Sequence, residues 1–214
     1  MELPLRFERR LAAGKGAAIV RRDIRINEQI DRGRLGPGRF VRWPVACGGF
    51  QLPDALDIQL AQMVMVGFRG AEPDECREFL DSLRECPLGG VWLTDNDSPM
   101  GWAHGNVRSP EQLKRLTAAL REASRTPMFI AIDGEGGQVI RLKQRYGFPA
   151  FPSARELGDR NDLSHTGAEA RRLGSLLKEC GINFNFAPVL DLNKNTANPI
   201  IGGKDRSFSE NPDV

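Results

Sequence analysis

Histidine and tyrosine are almost missing from this 214-residue chain, which holds two of the first, His104 and His165, and one of the second. The four cysteines stand apart at Cys47, Cys76, Cys86 and Cys180. No C-x-x-C pair and no zinc-ligand spacing exists, so no metal and no cofactor is expected. Scattered cysteines without a disulfide framework fit a reduced, cytoplasmic setting. No apolar run approaches the roughly 18 residues of a membrane span. The N-terminus lacks the continuous apolar stretch of a secretory signal, and no membrane partner is expected. Val45-Ala46-Cys47 is a faint lipoprotein-type site, but Arg39, Arg42 and Pro44 stand where such a site is apolar.

Charge is nearly balanced at +2 but unevenly placed. Residues 1–50 hold 11 Lys/Arg against 5 Asp/Glu, and residues 51–214 hold 19 against 23. A basic arm is one way to meet nucleic acid. This one has no aromatic interleaving and no amphipathic period, so no nucleic-acid partner is expected. Gly36-Pro37-Gly38 and Gly48-Gly49 punctuate it. Residues 1–50 therefore read as a poorly ordered basic extension and residues 51–214 as the folded region.

Within that region, strand and helix signals alternate. Met63–Phe68 is a short apolar run that predicts a buried strand. Pro73–Leu83 predicts a helix with apolar Phe79, Leu80 and Leu83. Gly90–Thr94 predicts a second strand. At the next helix start, Ser109 is a capping residue, Pro110 fits the first helical position and Gln112 is placed to close a capping box. Leu113, Leu116 and Leu120 then form one stripe. Met128–Ile132 predicts a third strand, apolar on both faces. A helix over about 165–180 puts Leu173, Leu176, Leu177 and Cys180 on one side, with Gly181 to end it. Ile182–Phe186, alternating apolar and amide residues, predicts a fourth strand. Such alternation means a parallel α/β fold, either doubly wound or a barrel.

Each strand delivers polar residues just past its C-terminal end: Arg69; Asp95-Asn96-Asp97; Asp133 and Glu135; and, through Pro188, Asp191. In parallel α/β folds that end of the strands is the ligand face. Asp133-Gly134-Glu135-Gly136-Gly137 is the densest of these features. Its glycines allow close backbone approach or a sharp turn. Its paired carboxylates suit acid/base chemistry, as in glycosidases, where a spacing of about 5–5.5 Å gives retention. It is neither G-x-G-x-x-G nor a P-loop. Trp102 and His104, in the loop after the second strand, offer a sugar-stacking face.

The run from Pro127 through Asp133-Gly134-Glu135-Gly136-Gly137 to Arg141 resembles the D-x-E-G-G segment of family-three glycoside hydrolases. Gly181-Ile-Asn-Phe-Asn-Phe-Ala-Pro-Val-Leu-Asp191 is similar to the family's G-(I/V)-N-x-x-x-A-P-V-x-D stretch. Asn198-Pro-Ile-Ile-Gly202 and Arg206-Ser207-Phe208 match its N-P-x-I-G and R-S-F. The likeness covers about residues 55–214, keeps the order of motifs, and looks nearest to the bacterial β-N-acetylhexosaminidases. It implies a (β/α)8 TIM barrel, of which this chain supplies about the first four βα units behind the N-terminal extension. It implies retaining hydrolysis of a terminal β-linked sugar, here N-acetylglucosamine of cell-wall or chitin-type saccharides. A β-glucosidase-type member of the family and a non-catalytic sugar-binding remnant are the alternatives.

Carried over by position, the resemblance makes Asp133 the carboxylate that accepts hydrogen bonds from sugar hydroxyls, and Arg206 the arginine on the other side of the sugar. Glu135 and Asp191 match positions near the site. Arg141 either pairs with one of these carboxylates or makes a surface ion pair. The family's acid/base and nucleophile come later, so no catalytic residue is assigned and both are expected beyond Val214. The chain then reads as truncated, with an open barrel edge suited to self-association. A doubly wound enzyme of another family remains the competing fold.

Overall fold

The structure, a computed structural model, describes residues 55–95 and 105–214. The basic extension, Asn96, Asp97, Trp102 and His104 lie outside the described residues. Six strands occur among the described residues: β1 (Met65–Gly67), β2 (Gly90–Leu93), β3 (Phe129–Ile132), β4 (Gly134–Gly136), β5 (Val139–Ile140) and β6 (Phe184–Asn185). Five helices accompany them: α1 (Ala55–Gln62), α2 (Arg77–Glu85), α3 (Pro110–Ala123), α4 (Ala154–Arg160) and α5 (Leu163–Glu179).

The four expected strands form one sheet in the order β1-β2-β3-β6, every pair parallel. Each strand neighbours the next along the chain. A doubly wound sheet reverses that order at a switch point, whereas a (β/α) barrel is laid down sequentially. The sheet is therefore a partial barrel of TIM type, and it is not closed. Helices α2 and α3 cover one side of the sheet. There Val91, Leu93, Ile130 and Ile132 pack into one core with Leu80, Leu83, Leu113, Leu116 and Leu120. No helix among the described residues is long and apolar enough to cross a membrane.

Local chemistry accounts for most element ends. Ser109 caps α3, accepting from the Gln112 amide at 3.1 Å. The capping box does not close there, because Gln112 Oε1 accepts from the Arg108 amide at 2.8 Å and its Nε2 donates to the carbonyls of Ala71 and Asn106. Gln112 is buried and ties loops together instead. A complete capping box forms at α4, between Ser153 and Glu156. The expected helix at Pro73 starts as a 3-10 turn, Pro73–Cys76, before α2. Gly181, at φ +77°, ends α5 as expected. Helix α1, helix α4 and the β4–β5 hairpin were not expected, although Ser153-Ala154-Arg155-Glu156 is the sequence signature of the capping box that starts α4.

Strand β6 is only two residues long, and its alternating amides explain how it still holds. Asn183 Oδ1 accepts from the Ile130 amide at 2.7 Å and its Nδ2 donates to the Met128 carbonyl at 3.0 Å. Asn185 does the same to both backbone groups of Gly134, at 2.9 and 3.0 Å. Two side chains thus pair backbone groups of Ile130 in β3, of Met128 just before it and of Gly134 at the start of β4. A third amide, the buried Asn106, takes the Thr94 amide at 3.1 Å and donates to the carbonyls of Phe68 and Gly70. It joins the loops after β1 and β2.

Candidate functional site

The D-x-E-G-G segment is folded as a small antiparallel hairpin standing on the C-terminal end of β3. Gly136 (φ +99°) and Gly137 (φ +53°) make its turn, in backbone conformations that side chains disfavour. The hairpin brings residue 133 level with residue 141, and the Arg141 amide donates to the Asp133 carbonyl at 3.1 Å. Their side chains meet above that bond. Arg141 donates from Nε at 3.1 Å and from Nη2 at 2.5 Å, both to Asp133 Oδ2. Of the two expectations for Arg141, pairing with a site carboxylate is the one realised. Asp133 Oδ1 accepts no hydrogen bond among the described residues.

Arg206 arrives from 71 residues beyond Glu135. Its segment is held by the Ser207 hydroxyl, which donates to the Asp191 carbonyl at 2.6 Å, and by the Arg155 amide on the Asp205 carbonyl at 3.2 Å. Close packing against α4 needs Gly158, where a Cβ would lie 1.7 Å from the Phe208 carbonyl oxygen. Arg206 then clasps Glu135 with a two-pronged fork, Nε to Oε2 at 2.8 Å and Nη2 to Oε1 at 2.7 Å. Glu135 is nearly buried, with 7% of its side chain exposed. The Glu135 hydrogen bonds push the Arg206 guanidinium further above its ordinary range, and the charges of Asp133 and Asp191 add to that.

These groups line an open cleft of about 330 Å3 together with Gln138, Val139, Phe186, Val189 and Lys204. Asp133, Glu135, Arg141 and Arg206 are thus brought together. Asp191 is not on the cleft wall; its carbonyl anchors the Arg206 segment and its charge is felt there. Sequence reasoning did not single out Lys204, Gln138, Phe186 or Val189. Lys204 sits two residues before Arg206, and its charge beside that motif was the one available signal. Asp133 and Glu135 each accept two hydrogen bonds from an arginine. The cleft can offer carboxylate oxygens, guanidinium N–H groups and the Lys204 ammonium to a polyhydroxylated ligand, with Phe186 and Val189 as an apolar wall.

The family model of the glycosyl hydrolase family 3 N-terminal domain matches residues 55–214. The chain belongs to glycosyl hydrolase family 3. Among curated relatives, this family 3 chain is 41% identical to "Beta-hexosaminidase A" of Pseudoalteromonas piscicida over 187 residues, which is 77% of this chain and 29% of that protein. It is 39% identical to a "Beta-hexosaminidase" of Alkalilimnicola ehrlichii over 115 residues, 51% of this chain and 32% of the relative. Among solved structures, it resembles the family 3 beta-N-acetylglucosaminidase of Paenibacillus sp. str. FPU-7, with TM-score 0.62, 33% identity and coverage of 74% of this chain and 28% of that one. It also resembles NagZ of Neisseria gonorrhoeae, solved with N-trifluoroacetyl-D-glucosamine, with TM-score 0.53 and 32% identity over 70% of this chain and 42% of the other. The chain spans about a third of the length of the curated relatives it matches.

Proposed function

We propose that this chain forms the sugar-gripping part of a retaining β-N-acetylhexosaminidase that removes terminal β-linked N-acetylglucosamine. The observation that carries the reading is Asp133: it lines the cleft, one oxygen is fixed by Arg141, and the other accepts no hydrogen bond among the described residues. An ionised carboxylate held in this way is ready to accept from a sugar hydroxyl. Arg206, with two of its donors on Glu135, grips the sugar with the remainder of its fork. The acid/base and the nucleophile lie outside these 214 residues in this reading. The names of the relatives support the choice of N-acetylhexosamine.

Residues 51–214 then form the first half of the barrel, with residues 1–50 as a separate basic extension. A cytoplasmic setting is supported by the free thiols of Cys76, Cys86 and Cys180. Self-association is supported by the exposed Phe129, Phe184 and Phe186. The test is a titration of the chain with N-acetylglucosamine, beside an assay of a chromogenic aryl β-N-acetylglucosaminide. Binding that Asp133→Ala weakens at least tenfold, with no hydrolysis, is expected. No sugar binding would sink the whole reading. Hydrolysis by the chain alone would show that its own residues supply the chemistry.

A further inference from the structure

Asp95 lies two residues past the end of β2 with its side chain wholly out of solvent, yet three cations converge on it. Lys143 Nζ lies 2.7 Å and Arg145 Nη2 3.1 Å from Oδ2. Arg141 Nη1 lies 3.6 Å from Oδ1, which accepts no hydrogen bond among the described residues. The three cations come from every second residue of one segment, 141 to 145, around the buried Leu142. Burying a charge requires a partner, and Lys143 alone already supplies one in direct contact. Arg141 is different in kind. It lines the cleft, and its other edge, Nε and Nη2, is on Asp133 Oδ2.

A guanidinium is rigid and planar. Drawing Nη1 toward Asp95 therefore sets the direction in which the Nε–Nη2 edge points. Both donors of that edge land on one oxygen of Asp133, and the second oxygen is left for a ligand. We propose that Asp95 is a positioning residue of the cleft, a buried carboxylate that orients Arg141 and, through it, Asp133. The ligand named for its test rests on the sugar-binding reading above, whereas the orientation of Arg141 does not.

The experiment takes the 214-residue chain and its Asp95→Asn variant and measures two quantities. One is hydrogen exchange at the Arg141 Nε–H by nitrogen-15 NMR, which needs no ligand. The other is the dissociation constant for N-acetylglucosamine. Asp95→Asn is expected to speed that exchange severalfold and to weaken sugar binding by up to about tenfold, the cost of a hydrogen bond that a misoriented Asp133 no longer makes. In an Asp133→Ala background the same substitution should weaken binding no further. Arg145→Gln removes a contact of Asp95 without touching the cleft, and should change neither quantity. Unchanged Arg141 exchange in Asp95→Asn overturns the proposal. So do equal losses with and without Asp133, or an Arg145→Gln variant that behaves like Asp95→Asn, because Asp95 would then be only a clip for the 141–145 segment. If the parent chain binds no N-acetylglucosamine, the sugar reading falls and exchange alone decides the role of Asp95. Should Asp95→Asn not fold, Asp95→Glu, which keeps the charge but displaces it by a methylene, replaces it with the same expected directions.

Discussion

On the helix-covered face of the sheet, Val91, Leu93, Ile130 and Ile132 are completely shielded, and so are Leu113, Leu116 and Leu120 that pack on them. On the opposite face Phe129, Phe184 and Phe186 retain 51%, 37% and 45% of their exposure. There the aromatic rings meet mainly one another, edge to face at 5.1 and 5.0 Å between centroids. Strand alternation alone produces both faces. What separates them is cover: one is buried by helices of the same partial barrel, and the other is the surface that faces inward in a closed barrel. Stability is thus concentrated on one side of the sheet, while apolar area open to a partner is concentrated on the other.

Substitutions on the two faces test that division, beginning with the largest expected effect. Leu116→Ala should cost about 4 kcal/mol by urea denaturation, within the usual range for a fully buried leucine. Phe184→Ala should cost less than about 1 kcal/mol, because half-exposed area contributes little on folding; equal costs would erase the distinction. Asn106→Ala should cost about 3 kcal/mol, since it strands the Thr94 amide and the carbonyls of Phe68 and Gly70 in a buried place.

Cys76, on the covered side, gives a pH signature. Burial, aided by the Glu75 charge, pushes its thiol up to about 11. The folded chain therefore keeps a proton that the unfolded chain releases near the ordinary cysteine value of about 9. Stability from this group is full below pH 9 and falls as pH rises toward 11. The parent should lose about 2 kcal/mol more than Cys76→Ala between pH 8 and pH 10.5, measured as urea midpoints. Parallel pH curves would show that the thiol is not shielded. Largest in association, Phe184→Ser with Phe186→Ser should cost no more than about 2 kcal/mol in folding and abolish any concentration-dependent dimer seen by sedimentation. Persistent dimers would place self-association elsewhere.

The covered face was the legible part of the fold. Leu113, Leu116 and Leu120 follow helical spacing, and Val91, Leu93, Ile130 and Ile132 sit in short apolar runs, so periodicity found them. The choice of barrel over doubly wound sheet was not legible from periodicity, because strand order is a property of pairing. The motif resemblance supplied that choice, and the β1-β2-β3-β6 order agrees with it. Helix α1 carries its apolar residues without a clear stripe, and Leu56 and Leu60 are exposed, so no pattern marked it. Asp133 and Arg141 were named individually, but their contact depends on a hairpin written mostly in glycine. The fork of Arg206 on Glu135 spans 71 residues, beyond any local rule. Asp95 was noted only as one polar strand end among four, because burial is invisible in a loop-like run of Asp and Asn.

The carboxamides of Asn183 and Asn185 do more than satisfy backbone groups. A strand two residues long has too few ladder bonds to fix its own alignment against β3. A slip of one residue turns both amides to the wrong side. A slip of two leaves one amide in place but presents Ala187 or Gly181 where the other belongs. Only one alignment fills both slots. A slip of two would carry Phe186 and Val189 about 6.6 Å along the sheet, far enough to remove the apolar wall from beside Asp133. The paired asparagines therefore act as a two-toothed key: by fixing where β6 stops, they determine whether the cleft has its apolar wall.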